Sequence, residues 1–226
     1  MKIAAIETSG RIGSVAMADA ERVLEARRFT HGRRHAVELL GLLAEMAENL
    51  GWKPDDLDYL FLSIGPGSFT GLRIGVSLAK TLSLTCGVKL IAVPTVDVLA
   101  RNAPPEAENI AVILDAKRRQ VYAARFHRKG DDMIKVVDAC LTDPGEFIRE
   151  APRPIWLLGE GVAYHREALS GEGILEPPPE AARARAEVVV ELGRREVKQN
   201  RFADPAALIP LYIRPPEAEE KWQKKR

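Results

Sequence analysis

The sequence predicts an α/β protein of two duplicated subdomains, each a mixed sheet with flanking helices. Three observations carry this. An apolar run, Tyr59 to Ile64, stops at Gly65-Pro66-Gly67 and gives way to a helical pattern reaching Cys86, the strand, glycine loop and helix order of α/β sheets. The stretch Asn109-Ile110-Ala111-Val112-Ile113-Leu114-Asp115 echoes Lys2-Ile3-Ala4-Ala5-Ile6-Glu7, and each is followed by a polar turn and two further strands. Between the repeats, Ala103-Pro104-Pro105-Glu106 is the clearest linker, so the boundary is set between 1–103 and 104–226.

Taking the first half in order, Ile3 to Glu7 reads as a buried strand closed by the turn Thr8-Ser9-Gly10. Ile12 to Ala18 and Val23 to Phe29 read as a hairpin about Asp19-Ala20-Glu21. From Arg33 to Leu50, Ala36, Leu39, Leu40, Leu43, Met46, Ala47 and Leu50 recur at helical steps, and Leu42 widens the face. Gly51 ends this helix and Pro54 prevents its restart. After the glycine-loop unit come a strand, Lys89 to Val93, and a helix from Pro94-Thr95 to about Asn102.

In the second half, Asn109 to Asp115 is the opening strand, Ala116 to Arg119 its turn, and Val121–Phe126 and Met133–Val137 the hairpin. Thr142-Asp143-Pro144-Gly145 caps a helix leading to Phe147. Ile155 to Leu158 is a buried strand, followed by a short helix through Tyr164 and Leu169 and a loop from Gly173 to Pro179. A helix from Ala181 to about Lys198 has an apolar side of Val188, Val189, Leu192 and Val197, expected to pack back on the domains. Leu208 to Pro216 is expected to run extended over the surface, and the charged tail with Trp222 to order only on a partner. A strand, a hydroxyl-bearing turn and a hairpin, given twice, is the layout of the actin, Hsp70 and sugar-kinase architecture, an actin-like fold.

The bulk composition narrows the function. There are 33 Lys+Arg against 32 Asp+Glu, so a strongly basic domain that binds nucleic acid through bulk charge is excluded. Cys86 and Cys140 lie in no metal-spaced cluster, and free thiols in a reducing cytosol are expected. Glu7 interrupts the opening apolar run at once, and no run approaches a membrane span, so a cytoplasmic chain is expected.

Phosphate motifs fail on spacing. Gly65 and Gly71 are followed by Leu72-Arg73 where a P-loop needs Lys and a hydroxyl, and Gly65, Gly67 and Gly71 read G-x-G-x-x-x-G, one residue too long for a dinucleotide fingerprint. His31 and His35 stand four apart without a third ligand and read as a helix-entry pair beside Arg33 and Arg34, so no metal site is expected. Ser9, Ser63 and Ser68 lack a His and an acid at a recognisable spacing, so no hydrolase triad and no catalytic residue is expected. Glu7, Thr8 and Asp115, at the ends of the two opening strands, are either strand-closing caps or a nucleotide site. Gly71, Gly75, Ala79 and Ser83 form one small-residue stripe, flanked by Leu72, that either packs inside its own domain or receives another helix.

Gly65-Pro66-Gly67-Ser68-Phe69-Thr70-Gly71-Leu72-Arg73-Ile74-Gly75 resembles the signature of the TsaB (YeaZ) family. The resemblance extends to Ala5–Ser9, to His35 with Glu38-Leu39-Leu40, to Leu114–Ala123 and to Pro210–Arg214, and it is thinner between Asp131 and Glu180. It implies an actin-like fold and a non-catalytic subunit with no cofactor of its own. It also implies a complex that places threonylcarbamoyl on N6 of the adenosine next to the tRNA anticodon. A TsaD-type transferase subunit would hold the metal and pair through helices of the first subdomain. A TsaE-type P-loop ATPase would join the pair and use ATP, tRNA would be met through the complex, and the isolated chain would form a homodimer. On this basis the stripe Gly71, Leu72, Gly75, Ala79 and Ser83, with Leu39 and Leu43 of the Arg33–Leu50 helix, is the expected partner interface. The alternative is an ATPase or phosphotransferase acting through Glu7, Thr8 and Asp115.

Overall fold

The structure is a computed structural model that describes residues 1–29 and 35–214, with the backbone alone given for 35–37. Two five-stranded mixed sheets form it. In the first, β1 (Ile3–Glu7) lies at the centre between β2 (Ser14–Ala18), antiparallel to it, and β4 (Tyr59–Ser63), parallel to it. β3 (Val23–Arg28) and β5 (Lys89–Val93) form the edges. The second sheet repeats the plan, with β6 (Asn109–Asp115) at its centre between β7 (Val121–Lys129), antiparallel, and β9 (Ile155–Leu158), parallel. Its edges are β8 (Asp132–Thr142) and the two-residue β10 (Ile174–Leu175). The duplication read from the two opening strands is therefore present in the strand order, and the architecture is actin-like.

Alternation along the strands sorts the core into layers. Ala4 and Ile6 of β1 point to one face with Leu60 and Leu62 of β4, where they meet α1 (His35–Asn49) and α2 (Phe69–Cys86). Ile3 and Ala5 point to the other face with Phe61 and Ile91, where α6 (Ala186–Lys198) covers them with Ala186, Val188, Val189 and Val190. The second sheet buries Ile110, Val112 and Leu114 against Val96, Leu99 and Ala100, which belong to or border α3 (Thr95–Ala100). Its far face buries Ala111 and Ile113 under α4 (Pro144–Arg149) and α5 (Gly161–Tyr164). The order is thus helices, sheet, helices, sheet, helices.

Local chemistry fixes the element ends. Ser68 caps α2, its Oγ accepting from Gly71 N at 3.3 Å, and Gly87 closes it in the left-handed region at φ 71°. Asp143 caps α4 by accepting from Gly145 N and Glu146 N, and Pro144 supplies the first helical residue.

The chain does not divide cleanly at 103/104. The two sheets fall on either side of that linker, yet α6 belongs by contact to the first sheet. Beyond it, Ala203 N donates to Leu90 O, Leu208 enters the first core, and Leu211 N donates to Ile64 O at 2.7 Å. The helix expected from Ala181 starts at Ala186, after a 3-10 turn at Pro179–Ala182. The loop expected from Gly173 to Pro179 contains β10. His31, the side chain of His35 and the tail with Trp222 lie outside the described residues.

Candidate functional site

The small-residue stripe lies against the chain's own sheet. Gly71, Leu72, Gly75 and Ala79 are buried on the inner face of α2, and Leu39 and Leu43 of α1 are buried in the same layer. A Cβ placed on Gly75 would stand 2.6 Å from Thr8 Oγ1. The stripe exists so that α2 can approach the end of β1, and of the expected set Ser83 alone is half-buried. The expectation that these residues form a partner surface is corrected on that ground. A stripe of small residues admits any close backbone, and spacing alone does not distinguish a sheet beneath from a helix outside.

The outward faces of the same two helices carry different residues. On α2, Arg73, Ser77, Thr81 and Leu84 face solvent, and Leu84 is 80% exposed. On α1, Leu40, Gly41 and Ala44 do so, and Leu40 is 58% exposed. At the start of α2, Phe69 packs against Tyr212 with the rings tilted by 37° and their centroids 5.5 Å apart. The Arg73 guanidinium lies 3.9 Å from the centre of the Phe69 ring, and its Nε donates to Tyr212 Oη at 3.0 Å. This aromatic and cationic cluster was legible only as two separate motifs, because 139 residues separate Arg73 from Tyr212.

The first turn is closed. Glu7 is fully buried, and its Oε1 accepts from both Ser9 N and Ser9 Oγ at 2.5 Å. Its Oε2 has no hydrogen-bond partner among the described residues. Burial pushes the Glu7 carboxyl above its ordinary range. The nearby Ser63 hydroxyl, outside hydrogen-bonding geometry, and the Ser9 and Gly10 donors hold that rise back. The glycine loop sits directly on the turn. Ser68 N donates to Ser9 O at 2.7 Å, and a Cβ on Gly67 would stand 2.4 Å from that same oxygen. From the second subdomain, Glu160 accepts from Arg11 N at 3.3 Å. Thr8, 1% exposed, is enclosed with Glu7.

Asp115, unlike that pair, is exposed. Its Oδ1 accepts from Lys117 N at 3.2 Å and from His165 Nε2 at 3.1 Å, closing its own turn. The three acid and hydroxyl positions weighed as a nucleotide site are thus two sealed side chains and one turn cap. Glu160 was not singled out from sequence, and Ser68 was weighed only as a triad serine, not as the residue that meets Ser9. Their signals were glycines at close backbone approaches: Gly67 against Ser9, and Gly161 whose Cβ would meet Asp115 N at 2.7 Å.

Among the described residues, no group of three or more His, Cys, Asp or Glu is placed to hold a metal ion, and no helix is long and apolar enough to cross a membrane.

Residues 30–222 match the family described as "TsaD: tRNA N6-adenosine threonylcarbamoyltransferase". The chain is 31% identical to the tRNA threonylcarbamoyladenosine biosynthesis protein TsaB of Bacillus subtilis (strain 168), over 98% of each chain. With the protein of the same name from Escherichia coli (strain K12) it shares 31% identity over 57% of this chain and 56% of that one. Among solved structures, YeaZ from Pseudomonas aeruginosa is similar with a TM-score of 0.81 at 22% identity, covering 93% of this chain and 99% of that one. That likeness speaks to the shared fold.

Proposed function

This chain belongs to the TsaB (YeaZ) family, and we propose on that premise that it is a non-catalytic scaffold subunit of the assembly that makes threonylcarbamoyladenosine in tRNA. Its relatives carry that biosynthetic role in their names. The observation that carries the scaffold reading is the sealed first turn. The donors a phosphate would need at this turn are already engaged, Ser9 N and Ser9 Oγ by Glu7 and Arg11 N by Glu160. Glu7 and Thr8 would remain behind them without solvent. Such a chain contributes shape rather than chemistry.

The partner is a TsaD-type transferase subunit, which would carry the metal, and the contact surface is the outward side of α1 and α2. Leu40 and Leu84 are the apolar anchors, and Gly41, Ala44, Ser77 and Thr81 allow a facing helix to come close. The same surface, matched with itself, gives the isolated chain a homodimer. A TsaE-type ATPase joins the pair and consumes the ATP, tRNA is met through the complex, and the chain works in the cytoplasm without a cofactor of its own.

The test is a reconstituted modification reaction containing transferase, ATPase and adenylate-forming enzyme, with and without this chain. Modification is expected to require the chain, to survive Asp115→Ala, and to be lost with Leu84→Glu. Equal modification without the chain would overturn the scaffold reading. Tight magnesium-ATP binding by the isolated chain, abolished in Asp115→Ala, would favour an ATPase or phosphotransferase instead.

A further inference from the structure

Three consecutive residues, Lys117, Arg118 and Arg119, adopt left-handed backbone, with φ of 59°, 52° and 60°. A side chain crowds the following carbonyl in that region, so it is ordinarily visited singly, by Gly, Asn or Asp. None of the three is of that kind. The turn is held in shape from several sides. Ala116 N donates to Gln120 O at 2.9 Å, and Gln120 N to Lys117 O at 3.0 Å. Asp115 accepts from Lys117 N, and His165 fixes Asp115. From the far end of the chain, Arg214 donates to Ala116 O at 2.6 Å and to Gln120 Oε1.

The consequence is a tight, braced turn from which three cationic side chains leave in succession, all exposed. Lys117 and Arg119 form no ion pair among the described residues. The adjacent acids are engaged, Asp115 by His165 and the turn, Glu160 by Arg11 N. In a chain with 33 basic and 32 acidic residues, this is a local concentration of positive charge. The turn offers no apolar anchor of the sort that centres a protein interface. Phosphate oxygens need only cations and N–H donors.

We infer that the Lys117–Arg119 turn contacts the phosphate backbone of RNA when the assembly holds its tRNA. The inference rests on the reading above for the identity of the RNA. The turn positions the strand and reads no base, so it acts on any tRNA alike.

The test uses the full chain with Lys117→Asn and Arg119→Asn together. Asparagine tolerates left-handed backbone, so the charges go while the turn remains. A fluorescently labelled, unmodified tRNA transcript is titrated with the isolated chain, and with the chain bound to the transferase subunit, across a salt series. The double variant is expected to bind about tenfold more weakly at low salt. It should also lower the slope of log affinity on log salt by about 1.4 to 1.8, the value for two lost phosphate contacts. Its pairing with the transferase should be unchanged. Unchanged affinity and slope would overturn the inference. Lost pairing with unchanged RNA affinity would overturn it too, by assigning the turn to an acidic protein surface. Should the wild-type chain bind RNA through this turn yet leave modification unaffected, the scaffold reading fails and the contact stands.

Discussion

Glu7 sits at the end of a fully buried strand with one carboxyl oxygen well served and the other unpartnered among the described residues. Desolvation raises its pKa from the ordinary 4.5, so the folded chain holds this proton to a higher pH than the unfolded chain does. Below 4.5 both states are protonated and the site costs least. As pH rises the unfolded chain ionises first, and stability falls until the folded-state value is passed. Glu7→Gln keeps the Oε1 acceptor for Ser9 and offers an N–H₂ beside Ser63, removing the titration. The variant is expected to match wild type near pH 4 and to exceed it by about 1–3 kcal/mol at neutral pH. Urea unfolding at the two pH values measures this, and a gap that does not widen with pH would show that Glu7 ionises freely in the fold. At Gly75 the expectation runs the other way. Gly75→Arg forces a charged chain between α2 and Thr8, where a single Cβ already collides. Loss of about 4 kcal/mol or more, with loss of near-ultraviolet dichroism, is expected.

The helices show what a sequence can and cannot say at the scale of elements. The four-residue recurrence of Gly71, Gly75 and Ala79 correctly gave a close approach, yet what Gly75 meets is Thr8 and Ile6 of the same chain. Period alone gives direction around a helix and says nothing of which neighbour lies there. Burial decides it, and burial places Leu84 and Leu40 outside. Leu84→Glu should therefore leave the melting temperature of the monomer within ~1 °C of wild type, as surface changes do, while preventing both the proposed homodimer and the proposed pair with the transferase. Sedimentation and calorimetry on one sample distinguish this from unfolding, and a stable variant that still pairs would move the interface elsewhere. Strands were legible because continuous apolar, β-branched runs are local, as in Asn109–Asp115. The edge strand β10, only two residues long, leaves no periodic trace. The joining of Tyr212 to Phe69 and Arg73, and of Arg214 to the 116–120 turn, was invisible because it depends on where the chain returns.

That return is the property of the whole molecule that the linker at 103–106 obscures. The duplicated halves invite the picture of two bodies on a hinge, each with its own core. The first sheet, however, has a face it cannot cover from its own half. Beside Val98 of α3, the cover over Ile3, Ala5, Phe61 and Ile91 is α6, arriving from the far end of the chain, with Gly193 so near Phe61 that a Cβ would stand 2.3 Å from the ring. The segment after α6 then meets β5 through Ala203 and the residue following β4, Ile64, through Leu211, and Arg214 reaches the second subdomain's turn. Opening the second half therefore uncovers the first. The two subdomains are expected to unfold in one transition, with calorimetric and van't Hoff enthalpies equal. A fragment of residues 1–103 should be unfolded or aggregated, since it exposes a continuous apolar face on one side of its sheet. The same fragment joined by a flexible linker to residues 186–214 should regain a cooperative melt. Two resolved transitions in the intact chain, or a well-folded 1–103 fragment, would mean that α6 covers a face already stable without it. A single transition would also suit the proposed scaffold role, because halves that share one core hold the outward faces of α1 and α2 in one shape.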